Sequence, residues 1–309
     1  GLISKGFAPR RIRLMEAEVR EIANGLIDRV EKRGAFDLVK EFSRPLPFRI
    51  ISRLLGYPED QVDRILDWTD TYCKGGCGPD YVTEEVVDAF GNFVEFHEEL
   101  LAEKKECPGD DLLNIWMKAE LDGVRLSEDK LLYEHNLLLV GGSETTRSAI
   151  AMGMQALIEH PDQMAWLKEN IDDPEILGTA VEEMIRWSCP FVRMARTATE
   201  DVELHGKTIK KGQQVVMLYP AANRDPRAFE SPDRFDIRRD PENPQVSFGV
   251  GKHFCLGASL ARLETRVALE LLLKRLPTLA MGPESSPIRA TSSFVRSLVS
   301  LPVTFSPRS

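Results

Sequence analysis

Cys255 is the residue of this chain that is best placed to do chemistry, because it lies in a glycine-rich run before an amphipathic helical stretch. The run reads Phe248-Gly249-Val250-Gly251-Lys252-His253-Phe254-Cys255-Leu256-Gly257. Its three glycines, at 249, 251 and 257, permit positive φ angles and a close approach of backbone to a flat ligand. The start of the following helix presents its positive end to the sulfur and favours a thiolate. Proteins offer sulfur to haem iron in this way.

The residues alone leave two other interpretations of Cys255 open. A buried, inert cysteine is the usual state of this residue type, but packing needs neither the flanking glycines nor a polar residue such as His253 nearby. A cysteine at the start of a helix also suits a hydrolase, with Cys255 as nucleophile and His253 as base. No sequence motif of the known cysteine hydrolases accompanies it.

A second unusual run, Gly141-Gly142-Ser143-Glu144-Thr145-Thr146, lies inside a long apolar stretch. Each interior glycine destabilises a helix by about 1 kcal/mol relative to alanine, so two in succession need a reason. One reason is close packing against a neighbouring helix, and the other is space for a ligand. Thr145 can donate a hydrogen bond to the Gly141 carbonyl one turn earlier, which would bend the helix and leave a groove beside an acid and a hydroxyl.

The elements that must position these motifs are mainly helical. Helical periodicity continues to about residue 121, a long buried helix is predicted over 127–160, and a last long helix follows Cys255 to about residue 276. Short strands are predicted over 202–219 and in the tail. The prediction is a mainly α fold with small β-sheets, in one domain over residues 1–309, because no linker, repeat or low-complexity tract divides the chain.

Composition excludes several classes of protein. Asp and Glu number 49 against 40 Lys and Arg, which argues against a general nucleic-acid binder. The longest apolar runs are too short to span a bilayer, so no membrane span is predicted. Five cysteines at irregular spacing indicate reduced thiols rather than a disulfide framework, and hence a cytoplasmic protein.

The ten residues around Cys255 resemble the haem-binding signature of the cytochrome P-450 superfamily, Phe-Gly-x-Gly-x-His-x-Cys-x-Gly, at every defined position. The glycine hexapeptide resembles the oxygen-binding groove of the same family, Ala/Gly-Gly-x-Asp/Glu-Thr-Thr. The segment 2–12 resembles the family's chain after its third helix. This resemblance covers essentially the whole chain and implies the cytochrome P-450 fold, truncated at its N-terminus, and a haem-thiolate monooxygenase of the bacterial soluble type.

The resemblance also implies roles for single residues. Cys255 is expected to be the iron ligand of haem b, Thr145 to hold dioxygen and its water, and Glu144 to relay protons. This acid and alcohol pair favours a monooxygenase fed by a reductase over family members that use peroxide. The further cofactor-binding positions are expected to be His253 and Arg196 at the propionates, Phe248 beneath the porphyrin, and Gly141, Gly142, Gly249, Gly251 and Gly257.

A structural network and a substrate pocket are implied as well. Glu183, Arg186 and Arg224 match the family's Glu-x-x-Arg element and its partner, and are expected to form a buried ion network that fixes the cysteine loop. The apolar positions expected to face the substrate are Leu138, Leu139, Pro190, Phe191, Val192, Phe294 and Val295. If they line a cavity, the substrate is an apolar molecule of the steroid, terpenoid or fatty acyl type. Each of them is equally a candidate for plain core.

The implied partners are O2 and an electron donor, either a ferredoxin or a flavoprotein reductase. Lys252, Arg262 and Arg266 are candidates for a basic patch that steers an acidic ferredoxin, and equally for a solvated helix face.

Two alternative functions remain open. One is a catalytically silent haem-binding scaffold, and the other is a cysteine-dependent hydrolase.

Overall fold

The computed structural model describes Phe7 and the ranges 9–121, 123–239, 244–282, 286–292 and 294–307. Of the segment 2–12 that resembles the family, residues 2–6 and 8 lie outside the described residues. The helices are α1 (Pro9–Leu14), α2 (Glu16–Asp28), α3 (Pro45–Leu55), α4 (Val62–Cys73), α5 (Glu84–Glu106), α6 (Leu112–Lys118), α7 (Glu128–Ile158), α8 (Pro161–Glu169), α9 (Pro174–Ser188), α10 (Tyr219–Ala222) and α11 (Ala258–Arg275).

The strands are short and antiparallel. They are β1 (Ala35–Asp37), β2 (Glu120–Leu121), β3 (Val124–Arg125), β4 (Arg193–Thr197), β5 (Val202–Leu204), β6 (Lys207–Ile209), β7 (Gln214–Leu218), β8 (Ala280–Met281), β9 (Ile288–Arg289), β10 (Leu298–Ser300) and β11 (Pro302–Thr304). Strand β11 pairs with β1 and β8, and the other strands form the pairs β2·β3, β4·β7, β5·β6 and β9·β10. The predicted fold class, mainly α with small β-sheets, is confirmed.

Helix α7 begins and ends at the residues that the sequence marks as helix boundaries. Ser127 precedes it, and its side chain accepts a hydrogen bond from the Lys130 N–H, as expected of an N-cap. Pro161 lies just beyond its C-terminus and begins α8, because proline lacks the N–H that would continue α7. The predicted boundaries of this helix are confirmed.

The strand predictions over 202–219 are also confirmed. Strands β5 and β6 form a hairpin whose two connecting residues, His205 and Gly206, have φ values of 48° and 73°. Two residues with positive φ give the turn that matches the twist of antiparallel strands. Strand β7 then pairs with β4 over five residues.

Helix α7 runs through the interior and packs against α3, α9 and α11. Its contact with α9 depends on Gly153, since a Cβ there would lie 2.5 Å from the Met184 side chain. Within the described ranges, no helix is long and apolar enough to cross a membrane. The core therefore surrounds α7 and supports the glycine-rich motif at its centre.

Candidate functional site

Cys255 lies on the loop that leads into α11. Gly249 and Gly251 have φ values of 70° and 73°, which side chains with a Cβ rarely adopt, so the loop requires both glycines. Gly257 differs from the prediction, because its φ is −85°, a value that any residue adopts. Its position immediately before α11 explains this, since the chain there already approaches helical geometry.

The protein around Cys255 acts on the pKa of its thiol in two opposite directions. Burial against protein raises the pKa of Cys255, while N–H groups of Gly257 and Ala258 and the charge of Arg262 oppose the rise. Coordination to a metal cation removes the thiol proton outright. No hydrogen bond joins His253 to Cys255 in the described structure, so the nucleophile and base of a hydrolase are not assembled.

The cysteine loop presents apolar side chains to its open side. Phe254 is 52% exposed, and Val250 and Leu256 are exposed beside it. Phe248 is tucked behind the loop, with its ring 6.3 Å from that of Phe254, and it packs against the core. An exposed cysteine between exposed apolar side chains suits a flat apolar cofactor whose metal takes a single ligand, the sulfur, from the protein.

The glycine motif of α7 serves both of the purposes that the sequence left open. A Cβ at Gly142 would lie 2.8 Å from Ile51, so Gly142 allows α3 to pack closely against α7. A Cβ at Gly141 would meet nothing within 4 Å, so Gly141 borders open space. Thr145 donates a 2.8 Å hydrogen bond to the Gly141 carbonyl, as predicted.

Leu137 shares this open face with Gly141 and Thr145. It is 53% exposed, in contrast to its neighbours Leu138, which is partly buried against the core, and Leu139, which is fully buried. Leu137, and not Leu139, therefore lies on this open face, and the pocket role of Leu139 stays a prediction. At 3.6 residues per turn, positions 137, 141 and 145 lie above one another, so the spacing to Gly141 was the available signal.

These observations fit haem b. No group of three or more His, Cys, Asp or Glu residues in the described ranges is arranged to hold a metal ion. A metal bound at Cys255 must therefore bring its other ligands with it, as haem iron does. Arg196 and His253 have no acidic partner among the described residues, and Arg196 donates only to the Ala195 carbonyl. The role of both side chains at the propionates stays a prediction.

Glu144 is held by Arg147 on its own helix, with 2.5 Å between Oε2 of the glutamate and Nη2 of the arginine. Arg147 also contacts Asp70 of α4 at 3.1 Å. Burial raises the pKa of Glu144 to about 7, with Arg147 opposing and Asp70 adding to that rise. Glu144 can therefore gain or lose a proton at neutral pH.

The predicted buried ion network forms, with one member exchanged. Both oxygens of Glu183 accept hydrogen bonds from Arg186, at 2.6 and 2.8 Å. The further arginine is Arg239, whose Nε lies 3.1 Å from Glu183 Oε2. Arg224 instead donates to the Trp187 carbonyl and stacks over its ring at 4.8 Å. It lies at the C-terminal end of α9, where free carbonyls attract a cation, and this position keeps it from the carboxylate.

The network is connected to the cysteine loop through Asn223. Arg186 donates to the Asn223 carbonyl at 2.7 Å, and the Asn223 side chain binds both Ser247 Oγ and the Val246 N–H at 2.8 Å. Ser247 directly precedes Phe248, where the loop begins. The Glu183–Arg186 pair of α9 is therefore connected through Asn223 to the residues that precede the loop.

The predicted pocket positions after α9 meet the C-terminal segment. The rings of Phe191 and Phe294 pack edge to face with centroids 5.0 Å apart. Phe191 and Val295 form an isolated antiparallel β-bridge. Beside it, the Val192 N–H donates a 3.0 Å hydrogen bond to the Phe294 carbonyl. Pro190 is buried, and its role in the substrate pocket stays a prediction. The Pro190 carbonyl accepts a 2.7 Å hydrogen bond from the N–H of Arg296, the residue after Val295.

The predicted basic patch is largely neutralised. Arg262 pairs with Glu182 at 2.5 Å, and Arg266 pairs with Glu16 at 2.8 Å. Both arginines border a cavity of about 330 Å³ between α1, α9 and α11. Lys252 is exposed and has no acidic partner in the described part of the chain. Paired charges on a helix face describe Arg262 and Arg266 better than a cationic patch.

Comparison with known proteins places these features in a family. The chain is 38% identical over 315 residues to the steroid C26-monooxygenase of Mycobacterium tuberculosis, covering 99% of this chain and 82% of that protein. The structure of P450BioI in complex with an acyl carrier protein ligated to hexadec-9Z-enoic acid matches with a TM-score of 0.90 at 34% identity. That match covers 99% of this chain and 77% of the other.

A cytochrome P450 from Bacillus megaterium, solved in complex with testosterone, matches with a TM-score of 0.89 at 32% identity, over 98% of this chain and 82% of that one. The family model described as cytochrome P450 matches residues 49–305. This range contains the cysteine loop, the glycine motif and the ion network. The chain therefore belongs to the cytochrome P450 family, and it is a monooxygenase whose cofactor is haem b.

Proposed function

We propose that this P450 holds haem b through the sulfur of Cys255 and uses it to oxidise an apolar substrate with O2. The observation that carries the proposal is the exposed cysteine on a loop of two left-handed glycines, flanked by exposed apolar side chains. Arg196 and His253 bind the propionates. Bound haem supplies the activation of dioxygen with two electrons from a redox partner.

The protein around the sulfur controls its charge. N–H groups of Gly257 and Ala258 donate toward the sulfur and stabilise negative charge there. Arg262 lies behind them with its guanidinium 4.5 Å from the centre of the Phe248 ring. Hydrogen bonds and an apolar wall around a cysteine ligand are the means by which a protein adjusts a reduction potential.

Thr145 and Glu144 have separate tasks on the opposite side of the site. The Thr145 hydroxyl lies on the open face of α7, where it can hold a water molecule or a polar oxygen species. Glu144, with a pKa near neutrality, can supply protons to that face. An acid and a hydroxyl on one helix thus provide the protons that reduction of O2 to water requires.

The substrate proposed is an apolar molecule of steroid, terpenoid or fatty acyl type. Leu137 on α7 and the Phe191–Phe294 pair offer apolar surface, and large apolar pockets bind large apolar ligands. The names of the similar proteins point the same way, toward steroids and a long acyl chain. We favour a steroid or long acyl chain over a smaller terpenoid for this reason.

The electron donor proposed is a ferredoxin or a flavoprotein reductase. Lys252 is exposed on the cysteine loop and has no acidic partner among the described residues, and Arg13 lines the cavity between α1, α9 and α11. An acidic partner would be guided by these charges. The five cysteines are all free thiols, which suits a reducing compartment such as the cytoplasm.

Incorporation of isotopic oxygen tests this proposal. The haem-loaded protein is supplied with a ferredoxin, its reductase and NADPH under ¹⁸O₂, with testosterone or hexadec-9Z-enoic acid as the probe substrate. We expect one ¹⁸O atom in the product. A haem spectrum with no product from either probe and any redox partner would favour the catalytically silent scaffold.

A further inference from the structure

Five charged side chains form one continuous row from the centre of α7 to the surface. In order they are Glu144, Arg147, Asp70, Arg44 and Asp67, so acids and bases alternate. The row crosses from α7 to α4 and then to the residue that precedes α3. Its outer end borders a cavity of about 320 Å³ between α2, α3 and α4. Three acids share two bases, which leaves one negative charge uncompensated.

Arg147 is the member that links the buried end to the rest. One of its terminal nitrogens contacts Glu144 at 2.5 Å and the other contacts Asp70 at 3.1 Å. Asp70 in turn accepts a hydrogen bond from Arg44 with its second oxygen. The positive charge of Arg147 is therefore divided between two carboxylates, and Glu144 does not receive all of it.

The other titratable groups near Glu144 carry no charge at neutral pH. They are Tyr72 and Cys73 on α4, and burial raises the pKa of each. Arg147, Asp70 and Arg44 are thus the charged groups of the described structure that act on the Glu144 carboxyl. Of these, Asp70 is the one whose charge opposes ionisation of Glu144.

We propose that Asp70 of α4 is a positioning residue for Glu144, which it controls by holding part of the Arg147 guanidinium away from the carboxyl group. Asp70 contacts Arg147 at 3.1 Å, and its own negative charge also opposes ionisation of Glu144. This inference rests on the role proposed for Glu144 as the proton donor. Helix α4 would then help to set the pH at which Glu144 delivers protons.

The direction of the effect follows from the charges. An uncharged residue at position 70 removes a negative charge near Glu144 and releases Arg147 to bind it fully. Both changes favour the carboxylate and lower the pKa of Glu144. At neutral pH the donor would then be ionised in a larger fraction of molecules.

The matched pair of variants is Asp70→Asn and Asp67→Asn. Both remove one carboxylate charge from the same helix and the same row, and both leave Arg44 with one acidic partner. Asp67 is 73% exposed and contacts Arg44 alone, so solvent screens its charge from Glu144. Asp70→Glu is the conservative variant, which restores the charge.

The measurement is an infrared pH titration of the haem-loaded protein, in which the Glu144 carboxyl band is assigned by its loss in Glu144→Gln. We expect the midpoint to fall by about 1 pH unit in Asp70→Asn, to stay unchanged in Asp67→Asn, and to return in Asp70→Glu. The pH profile of product formed per O2 consumed should move by the same amount. Equal midpoints in Asp70→Asn and Asp67→Asn would overturn the proposal.

The titration does not depend on turnover, so this inference and the proposed function can fail separately. If Glu144→Gln formed product as efficiently as the unmodified enzyme, Glu144 would lose its catalytic role in the proposed function. The control of its ionisation by Asp70 would still be supported by the shifted midpoint. Thermal unfolding and haem content, measured on each variant, identify any that fail to fold.

Discussion

The hydroxyl of Thr145 donates a 2.8 Å hydrogen bond to the carbonyl oxygen of Gly141, one helical turn earlier on α7. This bond fixes the hydroxyl on the face of the helix where Gly141 leaves space. While it donates to Gly141, the hydroxyl keeps its acceptor lone pairs, so Thr145 can accept a hydrogen bond from a bound water molecule.

Replacing Thr145 should therefore separate oxygen consumption from product formation. In Thr145→Ala we expect product per O2 consumed to fall about 10-fold, because a positioned proton-transfer group is lost, with hydrogen peroxide formed instead. Thr145→Ser keeps the hydroxyl and should retain most of the coupling. Oxygen consumption, peroxide and product measured together decide this, and unchanged coupling in Thr145→Ala would remove the hydroxyl from the mechanism.

The ionisation of Glu144 should make stability depend on pH. Burial raises the pKa of Glu144 from 4.5 to about 7, so the folded state binds a proton more tightly than the unfolded state. Stability is then unaffected below pH 4.5 and falls as pH rises toward 7, by up to about 3 kcal/mol. Urea unfolding should show that Glu144→Gln is more stable relative to the unmodified protein at pH 8 than at pH 5. The opposite trend would contradict a raised pKa.

The two glycines of α7 should respond differently to alanine. At Gly142 the new methyl group would collide with Ile51, and we expect a loss of about 1–3 kcal/mol in the free energy of unfolding. Ile51→Val removes one of the two colliding atoms and should restore part of that loss. At Gly141 the methyl group meets open space, so stability should rise by about 1 kcal/mol while product formation falls. Equal losses at both positions would show that Gly141 does not border open space.

The exchange of Arg224 for Arg239 in the ion network can be tested by a matched pair. Arg239→Met removes a donor to buried Glu183, and we expect a loss of about 3 kcal/mol in the free energy of unfolding together with weaker haem retention. Arg224→Met removes a stacking contact, a hydrogen bond of 3.3 Å and a solvent-screened ion pair with Asp233 at 3.6 Å, and should lose about 1 kcal/mol. Chemical unfolding of both variants decides the assignment, and a larger loss for Arg224→Met would reverse it.

Local signals in the sequence predicted most of the elements. Ser127 and Pro161 bound α7, and the turn at Gly206 fixes the β5–β6 hairpin, because caps and turns depend on a few neighbouring residues. The conformations of Gly249 and Gly251 were predictable for the same reason. The family resemblance then identified which motifs belong together, and the family itself is confirmed.

Contacts between distant parts of the chain were not predictable. Several arginines follow Asn223, and nothing local distinguishes Arg239 from Arg224 as the partner of Glu183, since the choice depends on how the loop returns to α9. The pairing of Arg262 with Glu182 was not predictable either, because the two residues lie 80 positions apart and meet only in the folded chain. The contact of Asp70 with Arg147 joins two helices that share no sequence motif.

The ligation of haem iron by Cys255 is tested most directly by the carbon monoxide difference spectrum of the reduced, haem-loaded protein and its Cys255→Ser variant. We expect the strongly red-shifted Soret band of thiolate-ligated haem in the unmodified protein, and no such band in the variant. The free thiols at positions 73, 77, 107 and 189 remain in the variant and serve as an internal control. An identical red-shifted band in Cys255→Ser would contradict the assignment of this sulfur as the iron ligand.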